Sequence, residues 1–67
     1  MNDRHPRPDF AVYNHGSLHA IHPFSPAAKA WLRENIEDGA QYLGEALMVE
    51  PRYVDAIVDG MNAAGLV

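Results

Sequence analysis

The stretch that most constrains the fold is residues 45–66, where a short apolar run leads straight into an amphipathic pattern. The apolar run over residues 46–49 has the length of a buried strand. Pro51 ends that strand, because proline cannot donate to a sheet, and it also suits the first turn of a helix. Apolar residues then follow at the spacing of one helix face: Val54, Ile57, Val58, Met61 and Ala64. Gly65 stands where a left-handed cap is expected, and Leu66 after it is placed to pack back.

A β-hairpin is predicted in the N-terminal part of the chain. Its first strand runs from Phe10 to Val12 or Tyr13, and its second covers residues 18–22, ended by Pro23. Between them, residues 14–17 read Asn-His-Gly-Ser, in which asparagine and glycine tolerate the positive φ of tight turns. The turn could hold two, three or four residues. The register stays open, because a slip of one residue exchanges the two faces.

A first helix is predicted to begin at Ser25-Pro26, with serine as the N-cap and proline just inside. Asp38-Gly39 is the predicted end of this helix. Its inner face is predicted to carry Trp31 as the core anchor, and the complete stripe is Ala28, Trp31, Leu32, Asn35 and Ile36.

These elements predict one α+β domain over residues 10–67, preceded by a flexible lead-in at residues 1–9. The expected architecture is a two-layer ββαβα fold, a three-stranded sheet with two helices packed on one face. If the strands flanking the first helix are parallel, the connection is a right-handed crossover. Tyr42 and Leu43 are expected to cover the sheet edge. The other face of the sheet stays exposed, and it is expected to carry Ala11, Tyr13 and some of His19, Ile21 and His22.

Composition narrows the class of protein. The chain has 67 residues, is 48% apolar and contains no cysteine, which excludes disulfides and thiolate metal sites. Its net charge of −4 disfavours nucleic-acid binding, which usually needs a basic stripe. No segment approaches the roughly 20 apolar residues of a membrane span, and the N-terminus has no signal-peptide pattern. A cytoplasmic location is therefore expected, with no membrane partner.

Three histidines raise the question of a metal site. His15, His19 and His22 could offer imidazole ligands to zinc. Residues 19 and 22 would point to opposite faces of a regular strand, and no cysteine completes a ligand set. His15 with Ser17 lacks the third group and oxyanion hole that nucleophilic catalysis needs. We therefore expect no catalytic residue, no cofactor and no metal, and keep a small histidine-based metal-binding or catalytic domain as the alternative.

Candidate partner contacts are the exposed polar residues. Asn14, His15 and Ser17 belong to the predicted turn. The ordinary role of such a turn is structural, and the alternative is that this exposed polar loop contacts a partner protein. Arg52 lies in the first helical turn, where the helix dipole disfavours a cation. An ion pair with Glu50, Asp55 or an acid of the first helix would explain it. Asp55 and Asp59 form an acidic helix face, which is either simply solvated or a contact for a basic partner.

A resemblance adds to this pattern. Residues 10–66 resemble a set of small bacterial and phage-borne hypothetical proteins in a series of short motifs: Phe10-x-Val12-x-Asn14-His15-Gly16-Ser17, Ser25-Pro26-Ala27-Ala28 with Trp31-Leu32, Val49-Glu50-Pro51-Arg52-Tyr53-Val54, Gly60-Met61 and Gly65-Leu66. The resemblance implies a prokaryotic or mobile-element origin and carries over no activity. The functional expectation is a non-enzymatic protein-interaction module, an inhibitor or adaptor of a host protein, with a homodimer as a variant of that idea.

Overall fold

The computed structural model describes residues 8–37 and 39–67. They form an α+β fold in which two helices cover one face of a four-stranded antiparallel sheet. In chain order the elements are β1 (Phe10–Asn14), β2 (His19–Pro23), α1 (Pro26–Asn35), β3 (Tyr42–Leu43), β4 (Ala46–Val49) and α2 (Pro51–Ala63). The strand order in the sheet is β1-β2-β4-β3. Of the predicted lead-in, residues 1–7 lie outside the described residues.

The predicted α+β class is confirmed, but the expected number of strands is wrong. Tyr42 and Leu43 do not merely cover the sheet edge; they form the edge strand β3, with Tyr42 paired to Leu47 and Leu43 to Ala46. Gly44, at a φ of 62°, opens the two-residue turn of this hairpin. Positive φ at the first central position suits the hairpin turns whose twist matches that of the strands.

A right-handed crossover was expected only if the strands joined through the first helix were parallel. It is absent, because β2 and β4 are antiparallel. A four-residue turn joins β1 to β2, closed by the His15 N–H, which donates to the Leu18 oxygen at 2.9 Å. The resulting register pairs Val12 with Ile21. Ile21, one of three residues that the sequence left as candidates for the open face, therefore lies on the helix side of the sheet and is fully buried. The second strand also begins later than predicted and includes Pro23.

The core lies between the sheet and both helices. Its buried members are Ile21, Ala28, Leu32, Leu47, Met61 and Leu66. Trp31 is half-buried and packs against this cluster, so it contributes to the core as predicted. Asn35 does not join the predicted inner stripe; it is exposed, and its side chain donates back to the Trp31 carbonyl at 2.9 Å. The helix α1 ends there, before the expected stop at Asp38-Gly39, of which residue 38 is not described.

The predicted helix ends are confirmed at three places. The Ser25 hydroxyl accepts from the Ala28 N–H at 3.0 Å, as an N-cap does. Pro51 is the first residue of α2. At the other end of α2, Gly65 has a φ of 89°, and Leu66 donates to the Met61 carbonyl at 2.9 Å. This is the Schellman arrangement, in which the apolar residue after the glycine packs back, and Leu66 is buried accordingly.

The C-terminal residues are tied to the start of β1. The Val67 N–H donates to an Asp9 carboxylate oxygen at 2.9 Å. That hydrogen bond lowers the pKa of Asp9 below its ordinary value, and a second one from the Ser25 side chain adds to the effect. These hydrogen bonds favour the ionised carboxylate, which holds Val67 beside the start of β1.

Candidate protein-binding groove

A groove of about 580 Å³ lies between the end of α1 and the first half of α2. This volume is within the range of roughly 300–1,000 Å³ that ligand-binding clefts occupy. Strand β4 forms the base of the groove through Leu47 and Val49. The apolar residues on its sides are Ile36 and Ala40 after α1, and Tyr53, Ala56 and Ile57 on α2. We call this feature the interhelical groove.

Two neighbouring elements place apolar side chains at this groove, exposed ones from α2 and the half-buried Leu18. Tyr53 and Ala56 lie on α2 to either side of the buried Val54, and 50% of the Tyr53 side chain is exposed. Leu18, the last residue of the hairpin turn, also lines the groove. It reaches this position because the next residue, His19, pairs with Val49 of β4. The groove is therefore largely apolar, and the described residues leave it unfilled.

The charged residues that line the groove are acidic. They are Glu37 and Glu50, and the described lining includes no lysine or arginine. Arg52 lies beside it: its Nε is 2.9 Å from Oε1 of Glu50, with 72% and 54% of the two side chains exposed. The positive charge of Arg52 offsets the negative charge of Glu50, so the net negative charge of the groove and its flank rests on Glu37. The Arg52 guanidinium also lies 4.9 Å from the centroid of the Tyr53 ring.

The structure gives Arg52 the ion pair with Glu50, one of the partners expected from the sequence. It places Arg52 beside the groove but brings the other predicted contact residues to different surfaces. Asp55 and Asp59 are exposed on α2 and do not line the groove. They form a separate acidic helix face.

The predicted contact turn has mainly a structural arrangement. The Asn14 side-chain oxygen accepts from the Gly16 N–H at 2.8 Å, which ties the turn as expected. Asn14, His15 and Ser17 are all exposed, and none of them lines the groove. Only the following Leu18 does. In the sequence, Leu18 has the pattern of the first residue of β2, whereas that strand begins at His19.

The three histidines occupy different surroundings. His15 is exposed in the turn. His19 is two residues from Ile21 in β2, so its side chain lies on the same face of the sheet, the one that the helices cover. His22 lies on the opposite face, where its ring centroid is 4.8 Å from that of Tyr13. Across residues 8–37 and 39–67, no three or more of the side chains that commonly bind metals are grouped so that they could hold an ion.

Comparison of the chain with protein-family models, with curated proteins and with solved structures gives no significant match. We therefore argue function from the groove's own residues. Neither helix of the described part of the chain combines the length and the apolar character that a membrane crossing requires.

Proposed function

We propose that this protein is a small, non-enzymatic protein-interaction module that binds a segment of a partner protein in the interhelical groove. The observation that carries the proposal is the half-exposed Tyr53 over an apolar base. Tyrosine is enriched among the residues that dominate binding energy, because it offers a large rigid surface with few rotatable bonds. A segment seated in the groove would cover this ring together with Leu18 and Ala56.

The charge of the groove specifies the chemistry of the partner. Glu37 and Glu50 line the groove, and the chain as a whole carries a net charge of −4. We infer a partner segment with apolar side chains for the base of the groove and a lysine or arginine at its flank. Complementary charge would speed the encounter and select against acidic partners, whereas the apolar contacts would supply most of the affinity.

The proposal extends to the biological setting. A small acidic domain with a largely apolar groove suits a protein that acts by occupying another protein's surface. The resemblance to small bacterial and phage-borne proteins implies a prokaryotic or mobile-element origin and no activity. For such a setting we propose an inhibitor or adaptor of a host protein that acts in the cytoplasm.

Two matched substitutions on α2 test the groove. Ala56 lines it, whereas Ala63 is exposed near the end of the same helix and does not line it. We expect Ala56→Arg to weaken binding of a captured partner by about tenfold or more, because the new side chain fills the groove and repels a basic segment. Ala63→Arg should bind as the unsubstituted chain does.

The measurement is affinity capture from a bacterial lysate, followed by titration of the captured protein against the three chains. Circular dichroism confirms that both variants fold. A partner that binds Ala56→Arg and the unsubstituted chain equally would exclude the groove as its binding site.

A further inference from the structure

Among the described residues, strand β1 forms one edge of the sheet. It spans Phe10–Asn14, whereas the opposite edge, β3, has only two residues. An edge strand presents unpaired N–H and C=O groups that can pair with another chain. Proteins usually block such an edge with charged residues or proline, and β1 reads Phe-Ala-Val-Tyr-Asn, with neither.

The hydrogen bonds at the two ends of β1 show which of its peptide groups point away from β2 and have no backbone partner among the described residues. The Asp9 oxygen accepts from the Phe24 N–H at 2.7 Å, and the His15 N–H donates to the Leu18 oxygen at 2.9 Å. Residues 9 and 15 thus lie at bonded positions opposite β2. In an antiparallel pair these positions alternate along the strand. The residues whose peptide groups point away from β2 are therefore Phe10, Val12 and Asn14.

We propose that β1 pairs antiparallel with β1 of a second copy of this chain, about a two-fold axis at Val12. In this register Phe10 of each copy lies opposite Asn14 of the other, and Val12 lies opposite itself. Each of these pairs exchanges both its N–H and its C=O. All three outward peptide groups of each copy are then satisfied, as a self-complementary two-fold interface requires.

The side chains of β1 favour a second copy over a strand of an unrelated protein. The same two-fold register places Ala11 opposite Tyr13 of the second copy on the sheet face away from the helices. A small residue opposite a large one packs well across two strands. Tyr13 already packs against His22 at 4.8 Å between ring centroids, and 49% of it is exposed. No charge within β1 meets a like charge in this arrangement.

The exposure of residues on the open face also favours an edge-to-edge dimer over a face-to-face dimer. The exposed apolar residues of that face, Tyr13 and Leu43, lie on the two edge strands, whereas Ala20 and Ala46 between them are only 2% and 4% exposed. A second sheet laid over the middle of the face would therefore remove little further surface from water there. Pairing through β1 instead joins the two sheets into one, because a strand order ending in β1 continues in the second copy.

Two double variants test the register. Ala11→Glu with Tyr13→Glu places like charges opposite each other twice across the two-fold axis, and should weaken the dimer roughly tenfold or more. Ala11→Lys with Tyr13→Glu places opposite charges at the same two points and should keep the dimer. Both variants lose the Tyr13 ring, so they differ in the sign of one charge. Circular dichroism confirms that each is folded.

The readouts are mass by sedimentation and amide hydrogen exchange, each measured over a range of concentrations. We expect the mass of the unsubstituted chain to rise from 7.4 kDa to twice that value, and the amides of Phe10, Val12 and Asn14 to exchange more slowly as it does. A monomer at all concentrations would overturn the proposal. A dimer in which the three outward amides exchange as fast as in the monomer would overturn it as well. So would a dimer that both double variants weaken equally.

Discussion

Replacing Leu47 with alanine is expected to lower the free energy of unfolding by about 3 kcal/mol. Leu47 is fully buried in the core, in the strand next to β2, where it pairs with Ile21. Removing its side chain loses apolar burial and leaves a cavity. A chain of this length has a total stability of roughly 3–10 kcal/mol, so a large part of it would be lost. Urea unfolding followed by circular dichroism measures the change.

The matched control is Leu43→Ala, the same chemical change in the same hairpin. Leu43 lies in β3 opposite Ala46, and it is 73% exposed. Because its side chain already stands largely in water, we expect a loss within about 0.5 kcal/mol. Equal losses for Leu47→Ala and Leu43→Ala would mean that the helices do not cover the sheet face assigned to them.

Replacing Gly60 with alanine is expected to destabilise the protein by about 1 kcal/mol, although the same change in an exposed helix stabilises by a similar amount. A Cβ at Gly60 would lie 2.9 Å from Cζ2 and 3.1 Å from Cη2 of Trp31. The indole ring and the backbone of α2 would have to move apart, and such overpacking costs roughly 1–3 kcal/mol. Thermal or urea unfolding of the Gly60→Ala variant shows whether the free energy of unfolding falls or rises.

A double-mutant cycle isolates this contact. Phenylalanine at position 31 lacks the far edge of the indole, which is the part that approaches Gly60. In the Trp31→Phe background, Gly60→Ala should therefore become neutral or stabilising, with a coupling energy of about 1 kcal/mol or more. If Gly60→Ala has the same effect in both backgrounds, the close approach of α1 and α2 at this point is wrong.

The C-terminal strand and helix could be predicted because their signals are local. Pro51 marks the start of α2, and Gly65 with Leu66 marks its end through backbone preferences that act within a few residues. The apolar stripe between them has the period of a helix. The cap at Ser25 belongs to the same class of signal.

The edge strand β3 could not be predicted in this way. β3 has two residues, and both side chains are largely exposed, so it shows no alternation of apolar and polar positions. Its position depends on pairing with β4. The available signal was Gly44, which can open a two-residue hairpin turn between Leu43 and Ala46. In β2, the face of Ile21 depended on the length of a turn that the sequence left open.

The groove is a tertiary feature, and its residues come from separate elements. Leu18, Ala40 and Ala56 are unremarkable in the sequence and meet only because β2, β4 and α2 are arranged around them. Tyr53 lies in the groove half-exposed, and no spacing pattern in the sequence marks it for that position. The candidate partner contacts predicted from the sequence are exposed, but exposure alone does not bring them together in one site.

The most direct test of the interhelical groove is photo-crosslinking in a bacterial lysate. A benzoylphenylalanine is placed at position 56, at position 63 on the same helix, or at position 13 on the open face of the sheet. We expect one adduct of defined mass from position 56 and none above background from position 63. An adduct to another protein from position 13 or 63, with none from position 56, would contradict the account.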